Sequence, residues 1–131
     1  MKKLSRMKLI KILSIVVGTV LAIPAMGKGT LMVMGNNEDG QLGDGSMTDR
    51  YSPVSIDSEV MTVNGGLRHS LYVKEDGTLM AMGANIEGQL GDGSTTDRSS
   101  PVVIDSNVIA IAGGLKHSLY VKAEGTLMAM G

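Results

Sequence analysis

The chain has 131 residues, with 12 basic and 13 acidic side chains and a formal net charge of −1. It has no cysteine, so no disulfide can staple it, and its order must come from apolar burial and sheet pairing. Phe and Trp are absent and Tyr51, Tyr72 and Tyr120 are the only aromatics, so the stacking platforms that bind single-stranded nucleic acid are missing.

The first element is a leader. Lys2, Lys3, Arg6, Lys8 and Lys11 precede an apolar stretch, Ile12 to Ile23, interrupted only by Ser14, Gly18 and Thr19. Pro24 and the small residues Ala25 and Gly27 then supply a cleavage region. Residues 1–27 therefore read as a secretory signal peptide cut after Ala25 or after Gly27. An uncleaved anchor and a buried core helix are the competing readings, but a membrane-spanning helix takes about 20 apolar residues. Loss of the leader removes five basic residues and no acidic one, which leaves a formal net charge near −6. Such a surface repels phosphate backbones, so nucleic acid is not an expected partner. The expected location is secreted, periplasmic or at the cell surface, with membrane contact only through the leader during export.

Beyond the leader, residues 28–131 are a repeat array. Gly29 to Asp76 recurs as Gly77 to Glu124 with 33 of 48 positions identical, and a third copy begins at Gly125-Thr126-Leu127. Self-similarity at this period marks a solenoid or a propeller. Within one copy the apolar residues form short runs between turn residues, which predicts strands and not helices. Leu79 to Met82 follows the turn Glu75-Asp76-Gly77-Thr78, and a polar loop runs from Gly83 to Ser100. Pro101 to Ile104 forms a second strand, opened by a proline that needs no ladder donor there. Val108 to Ile111 forms a third after Asp105-Ser106-Asn107, and His117 to Lys122 a fourth after Gly113-Gly114. Four short strands per unit is what a propeller blade requires, so the fold class is all-β.

The chemistry-bearing residues favour structural roles. Gly65-Gly66 and Gly113-Gly114 stand where positive φ or a close approach of neighbouring blades would exclude a Cβ. Gly-Gln-Leu-Gly-Asp-Gly at Gly40 to Gly45 and Gly88 to Gly93 lacks the Lys-Ser/Thr ending of a phosphate-binding loop, and no helix follows. His69 and His117 are repeat equivalents, whereas a catalytic base belongs to a unique constellation, and loop hydrogen bonding is their expected role. Adjacent side chains of a strand point to opposite faces, so His69 cannot simply activate Ser70. The pairs Met32/Met34, Met80/Met82 and Met128/Met130 each lie on one strand face, and soft thioethers could hold Cu(I), but packing between blades explains them better. The acidic loop from Asn36 to Arg50 departs from the EF-hand order and loses acidic residues in its second copy. No catalytic, cofactor-binding or metal-binding residue is assigned.

Several of these motifs, in fixed order, resemble the regulator of chromosome condensation repeat family. Its glycine-led strand end appears as Gly77 to Gly83 with Asn85, its Gly-Gln-Leu-Gly as Gly88 to Gly91, its proline-led strand at Pro101, and its Gly-Gly-x-x-His-Ser as Gly113 to Ser118. The equivalent set stands 48 positions earlier, and the likeness covers Gly29 to Gly131. Met34, Met82 and Met130 fill the family's tryptophan position, keeping a large apolar side chain but losing the indole donor. The resemblance implies a seven-bladed β-propeller of four-stranded blades, of which this chain holds about two blades' worth. Residues 30–57 would supply two strands of one blade, 59–105 all four of the next, and 108–131 three of another. Nine strands cannot close such a ring, so a fragment of a longer product is expected, ahead of a stand-alone open array and an assembly of several copies. Self-association is expected if the array is open.

Recognition, where it occurs, belongs to loops carried on the rigid scaffold. Asp49, Arg50, Asp97 and Arg98 recur in both copies after Gly43 and Gly91, and Tyr51 is a candidate anchor because tyrosine is enriched at interface hot spots. The bland alternative is that Asp-Arg is a solvated pair of small energetic value. The resembled family includes nucleotide-exchange regulators of a small nuclear GTPase and a secreted bacterial inhibitor of β-lactamase. The functional expectation is an exported scaffold that binds an unidentified protein, without cofactor or catalysis of its own. The alternatives are the repeat part of a larger secreted hydrolase or lyase, or an inhibitor of a secreted enzyme.

Overall fold

The computed structural model describes residues 29–131, so the leader proposed for residues 1–27 lies outside the described residues. The elements in chain order are β1 (Gly29–Gly35), β2 (Arg50–Gly65), β3 (His69–Lys74), β4 (Leu79–Gly83), β5 (Arg98–Asp105), β6 (Val108–Gly113), β7 (Ser118–Lys122) and β8 (Leu127–Met130). No helix occurs among the described residues. All pairings are antiparallel, in the orders β1-β2-β3-β4-β5 and β6-β7-β8.

The two copies differ at one joint. A turn is expected between the second and third strands of the repeat, and Asn107 makes it between β5 and β6 with φ 57°. At the equivalent position Glu59 adopts φ 59°, yet β2 runs straight through as a 16-residue strand. Its first half pairs with β1 up to Val60 and its second half with β3 from Val60 onward. β2 thus serves two blades, and a left-handed glutamate is the hinge between them. The blades are β1 with the first half of β2, then the second half of β2 with β3, β4 and β5, then β6, β7 and β8.

Period-two alternation sends each strand's side chains to two different neighbours. On β3 and β4, Tyr72, Met80 and Met82 turn to the first blade and pack with Leu31, Val33, Leu42 and Val63. Leu71, Val73, Leu79 and Ala81 turn to the third blade and pack with Leu90, Val108, Tyr120 and Met130. Both cores therefore lie between blades, and each fully buried Leu or Val contributes about 1.5–3 kcal/mol. The glycine pair explanation resolves to close approach. A Cβ on Gly113 would meet the backbone of Gly66, and neither has positive φ.

Candidate functional site

The connection between β1 and β2, and its copy between β4 and β5, is a loop folded around one buried asparagine. Asn37 and Asn85 are both fully buried. The Asn85 Nδ2 group donates to Asp92 Oδ1 (3.0 Å), the Ser94 carbonyl (3.1 Å) and the Thr96 carbonyl (3.0 Å). Its Oδ1 accepts the Leu90 N–H at 3.0 Å, and its own N–H donates to Asp97 Oδ1 at 2.7 Å. Asn37 makes the same set with Asp44, Ser46, Thr48, Leu42 and Asp49. The asparagine replaces a strand partner for a backbone that cannot form a ladder, as buried polar groups require.

Four of the five residues singled out from the sequence belong to this wiring. Asp49 and Asp97 accept the asparagine amides. Arg50 and Arg98 do not pair with their aspartate neighbours, as a solvated Asp-Arg pair would. Their Nε groups donate to Asp44 Oδ2 (2.5 Å) and Asp92 Oδ2 (2.7 Å). Burial opposes the charge on Asp44, but bonds from Ser46, Arg50 and Asn37 outweigh it and hold the carboxyl down at about 2. Asp92 is lowered further against the same burial by Ser94, Arg98 and Asn85. Tyr51 alone stands free, 96% exposed at the start of β2.

The same rim of the blades carries side chains that the sequence reading did not single out. Leu67 and Leu115 occupy the tight turns before β3 and β7, and Ile86 lies in the loop after β4; all three are at least 64% exposed. Their backbones are tied together, since Leu67 N–H donates to the Gly114 carbonyl (3.2 Å) and Ala84 N–H to the Arg68 carbonyl (2.8 Å). Arg68 grips Asp39 with two bonds of 2.6 and 2.8 Å, and Lys116 reaches Glu87 at 2.8 Å. The outcome is a rim of protruding aliphatic side chains flanked by ion pairs. Leu67 and Leu115 are kept in both copies at a position no core needs, and that was the available signal.

His69 is not a loop residue: it is buried, and its Nε2 meets Ser118 Oγ across the blade boundary at 2.8 Å. Ser118 spends its own proton on the Gln89 carbonyl (2.8 Å), so the imidazole is the donor. A catalytic base would have to accept that proton and a nucleophile would have to reach solvent, and this pair does neither. Burial and the neighbouring His117 push His69 down to about 4, which keeps it neutral. Ser70 faces the opposite way and donates to the Gln41 carbonyl at 2.8 Å. The expected division of His and Ser between two faces is observed.

Two further bridges cross the blades. Asp57 accepts Tyr72 Oη (2.9 Å) and Lys74 Nζ (2.9 Å), and Asp105 accepts Tyr120 Oη (2.8 Å) and Lys122 Nζ (2.9 Å). Lys122, the Ser106 amide and Tyr120 together lower Asp105 to about 2; burial and Asp105 raise Tyr120 to about 12. Met82 lies against Gly43 and Met130 against Gly91, where any Cβ would collide with the thioether sulfur. Met32 and Met34 are exposed on the outer face of β1. No group of three or more His, Asp or Glu side chains gathers for a metal ion among the described residues.

Comparison with known proteins agrees with this geometry. The family model described as "Regulator of chromosome condensation (RCC1) repeat" matches residues 28–73 and 76–121. Human WBSCR16 is similar in structure with TM-score 0.65 and 25% identity, over 79% of this chain and 31% of its own. Yeast RCC1 (Prp20) bound to Kap60 gives TM-score 0.66 and 19% identity over 85% and 30%. Prp20p from Saccharomyces cerevisiae, described with its binding properties to Gsp1p and histones, gives 0.63 and 21% over 77% and 28%. The chain spans about a third of the length of these proteins. No curated protein matches it. The paired repeats, the blade-to-blade packing and the matched model together establish that the chain belongs to the regulator of chromosome condensation (RCC1) repeat family and is part of a β-propeller.

Proposed function

We propose that the chain is an exported protein-binding scaffold with no catalysis of its own, and that its recognition surface is the rim bearing Leu67, Ile86 and Leu115. The observation that carries this reading is the exposure of three large aliphatic side chains, Ile86 on the loop held by Asn85 and Leu67 and Leu115 on the glycine turns before β3 and β7. Exposed apolar groups on a preorganised backbone lose little entropy on binding, and charged pairs around them supply a polar border. Tyr51 extends the same rim. The partners of the yeast relative, Kap60, Gsp1p and histones, are all proteins, which supports the class of partner and not its identity. Export rests on the basic and apolar leader, and the acidic charge left after its removal disfavours nucleic acid.

Two measurements test the two halves of the proposal. A photoreactive residue at Leu115 should crosslink one protein of the extracytoplasmic fraction, competed away by unlabelled chain, while the same residue at Glu124, in the turn between β7 and β8, should not. Identical adducts from both positions, or none from Leu115, would contradict the rim. N-terminal sequencing of the product outside the cytoplasm should begin at Met26 or Lys28; a product retained inside the cell with Met1 intact would remove export.

A further inference from the structure

Asn64-Gly65 is the one Asn-Gly pair in the chain, since Asn36, Asn37, Asn85 and Asn107 are followed by Asn37, Glu38, Ile86 and Val108. Its repeat equivalent is Ala112-Gly113, so the second copy carries no amide side chain there. Asn64 is half-buried near the end of β2, whereas Asn37 and Asn85 are fully buried. An Asn-Gly pair is chemically distinctive because the glycine has no Cβ to shield its backbone nitrogen from the preceding side-chain carbonyl.

The fold adds two conditions. Gly66 N–H donates to the His69 carbonyl at 2.8 Å, and the ladder runs back from there without a shift, Gly65 opposite Ser70 and Asn64 opposite Leu71. Hydrogen-bonded and non-hydrogen-bonded pairs alternate in an antiparallel ladder, so Gly65 N–H is turned away from β3. The Asn64 side chain is tied across the boundary between the second and third blades, where its Oδ1 accepts the Gly113 N–H at 2.7 Å. The same boundary is closed by the bond from Tyr120 Oη to Asp105, by the contact of His69 with Ser118, and by the core around Leu71, Val108 and Tyr120.

We propose that Asn64 is a site of spontaneous deamidation, gated by the contact between these two blades. While the boundary is closed, the Gly113 bond fixes the side chain and the ladder fixes the extended backbone, and ring closure needs both to move. Local opening at the end of β2 frees them. The Gly65 nitrogen then attacks Cγ of Asn64: the N–Cγ bond forms and the Cγ–Nδ2 bond breaks. The Gly65 amide proton passes through solvent to the leaving nitrogen, and ammonia departs from a cyclic succinimide. Water opens the ring in one of two ways. Addition at Cγ gives aspartate with the backbone restored, and that carboxylate still accepts the Gly113 N–H. Addition at the backbone carbonyl of residue 64 gives an isoaspartyl link, which runs the main chain through the side chain and lengthens it by a methylene. That extra group falls beside a contact so close that a Cβ on Gly113 would lie 2.9 Å from the Gly66 nitrogen. The isoaspartyl form therefore resists reclosure and parts Leu67 N–H from the Gly114 carbonyl.

Peptide mapping of the full chain after incubation at neutral pH tests this, with electron-transfer fragmentation to separate aspartate from isoaspartate. Acid should accumulate at residue 64 and not at residues 36, 37, 85 or 107, and the folded chain should convert more slowly than the same chain unfolded in urea. Tyr120→Phe removes one bond between the second and third blades. It should raise the folded rate about fivefold, the worth of one hydrogen bond, and leave the rate in urea unchanged. Tyr72→Phe removes the equivalent bond between the first and second blades and should leave the folded rate as it was. A folded chain still unconverted when the urea sample has turned over, equal rates in the two states, or equal acceleration by the two tyrosine variants would each overturn the proposal.

Discussion

A single amide side chain holds each long loop. Asn85 bonds to residues from Leu90 to Asp97, and its removal would strand the buried Leu90 N–H and leave the part-buried carbonyls of Ser94 and Thr96 without their amide donor. Asn85→Ala is therefore expected to cost about 3 kcal/mol, judged from the penalty for unsatisfied buried groups, and urea melts would measure it. His69 supplies the pH dependence. Its folded value of about 4 lies below the ordinary 6.5, so the folded state favours the neutral ring. Stability from this group is complete above about 6.5 and falls as pH drops toward 4, by up to about 3 kcal/mol. His69→Gln should flatten the melting profile across that window, and an unchanged slope would show that the buried ring is not what titrates. The candidate residues were only partly legible at this scale. Asp-Arg stood out in the sequence because both residues are charged, but their partners Asn37 and Asp44 lie 12 and 6 positions away inside a coil, where no periodicity points. Identity between the two copies at Asn, Asp and Ser was the signal that could have found them.

At the scale of strands and turns the sequence was informative, because alternation and glycine placement act locally. The strands of the second copy lie where the apolar runs place them. The hinge at Glu59 was not legible, since glutamate carries no turn signature and its left-handed backbone accompanies the passage of β2 from β1 to β3. The role of methionine at the family's tryptophan position emerges only in the stack, where Met82 packs onto Gly43 of the preceding loop. Gly43 has φ 71° and Gly88 has φ 78°, but only Gly43 has the thioether above it. Gly88→Ala should then cost about 1–2 kcal/mol, the ordinary penalty for a left-handed residue. Gly43→Ala should cost more, and Met82→Ala should recover part of the difference in a double-mutant cycle. Additive losses would show that the two residues do not touch.

For the whole molecule, order passes from blade to blade through contacts that join residues far apart in sequence. His69 and Ser118 are 49 positions apart, and Arg68 and Asp39 are 29 apart. A repeat suggests that such contacts exist, yet not which side chain of one copy meets which of the next, because that depends on the direction of stacking. The recognition rim is subject to the same limit, as Leu67, Ile86 and Leu115 come together only once the blades are stacked. Recognition by a preorganised rim requires those loops to be as rigid as the sheets that carry them. Amide hydrogen exchange tests this most directly. The N–H groups of Leu42 and Leu90, buried and bound to the Asn37 and Asn85 side chains, should exchange as slowly as those of β3 and β4. Exchange at the rate of an open loop, with the strands still protected, would contradict a preorganised binding rim.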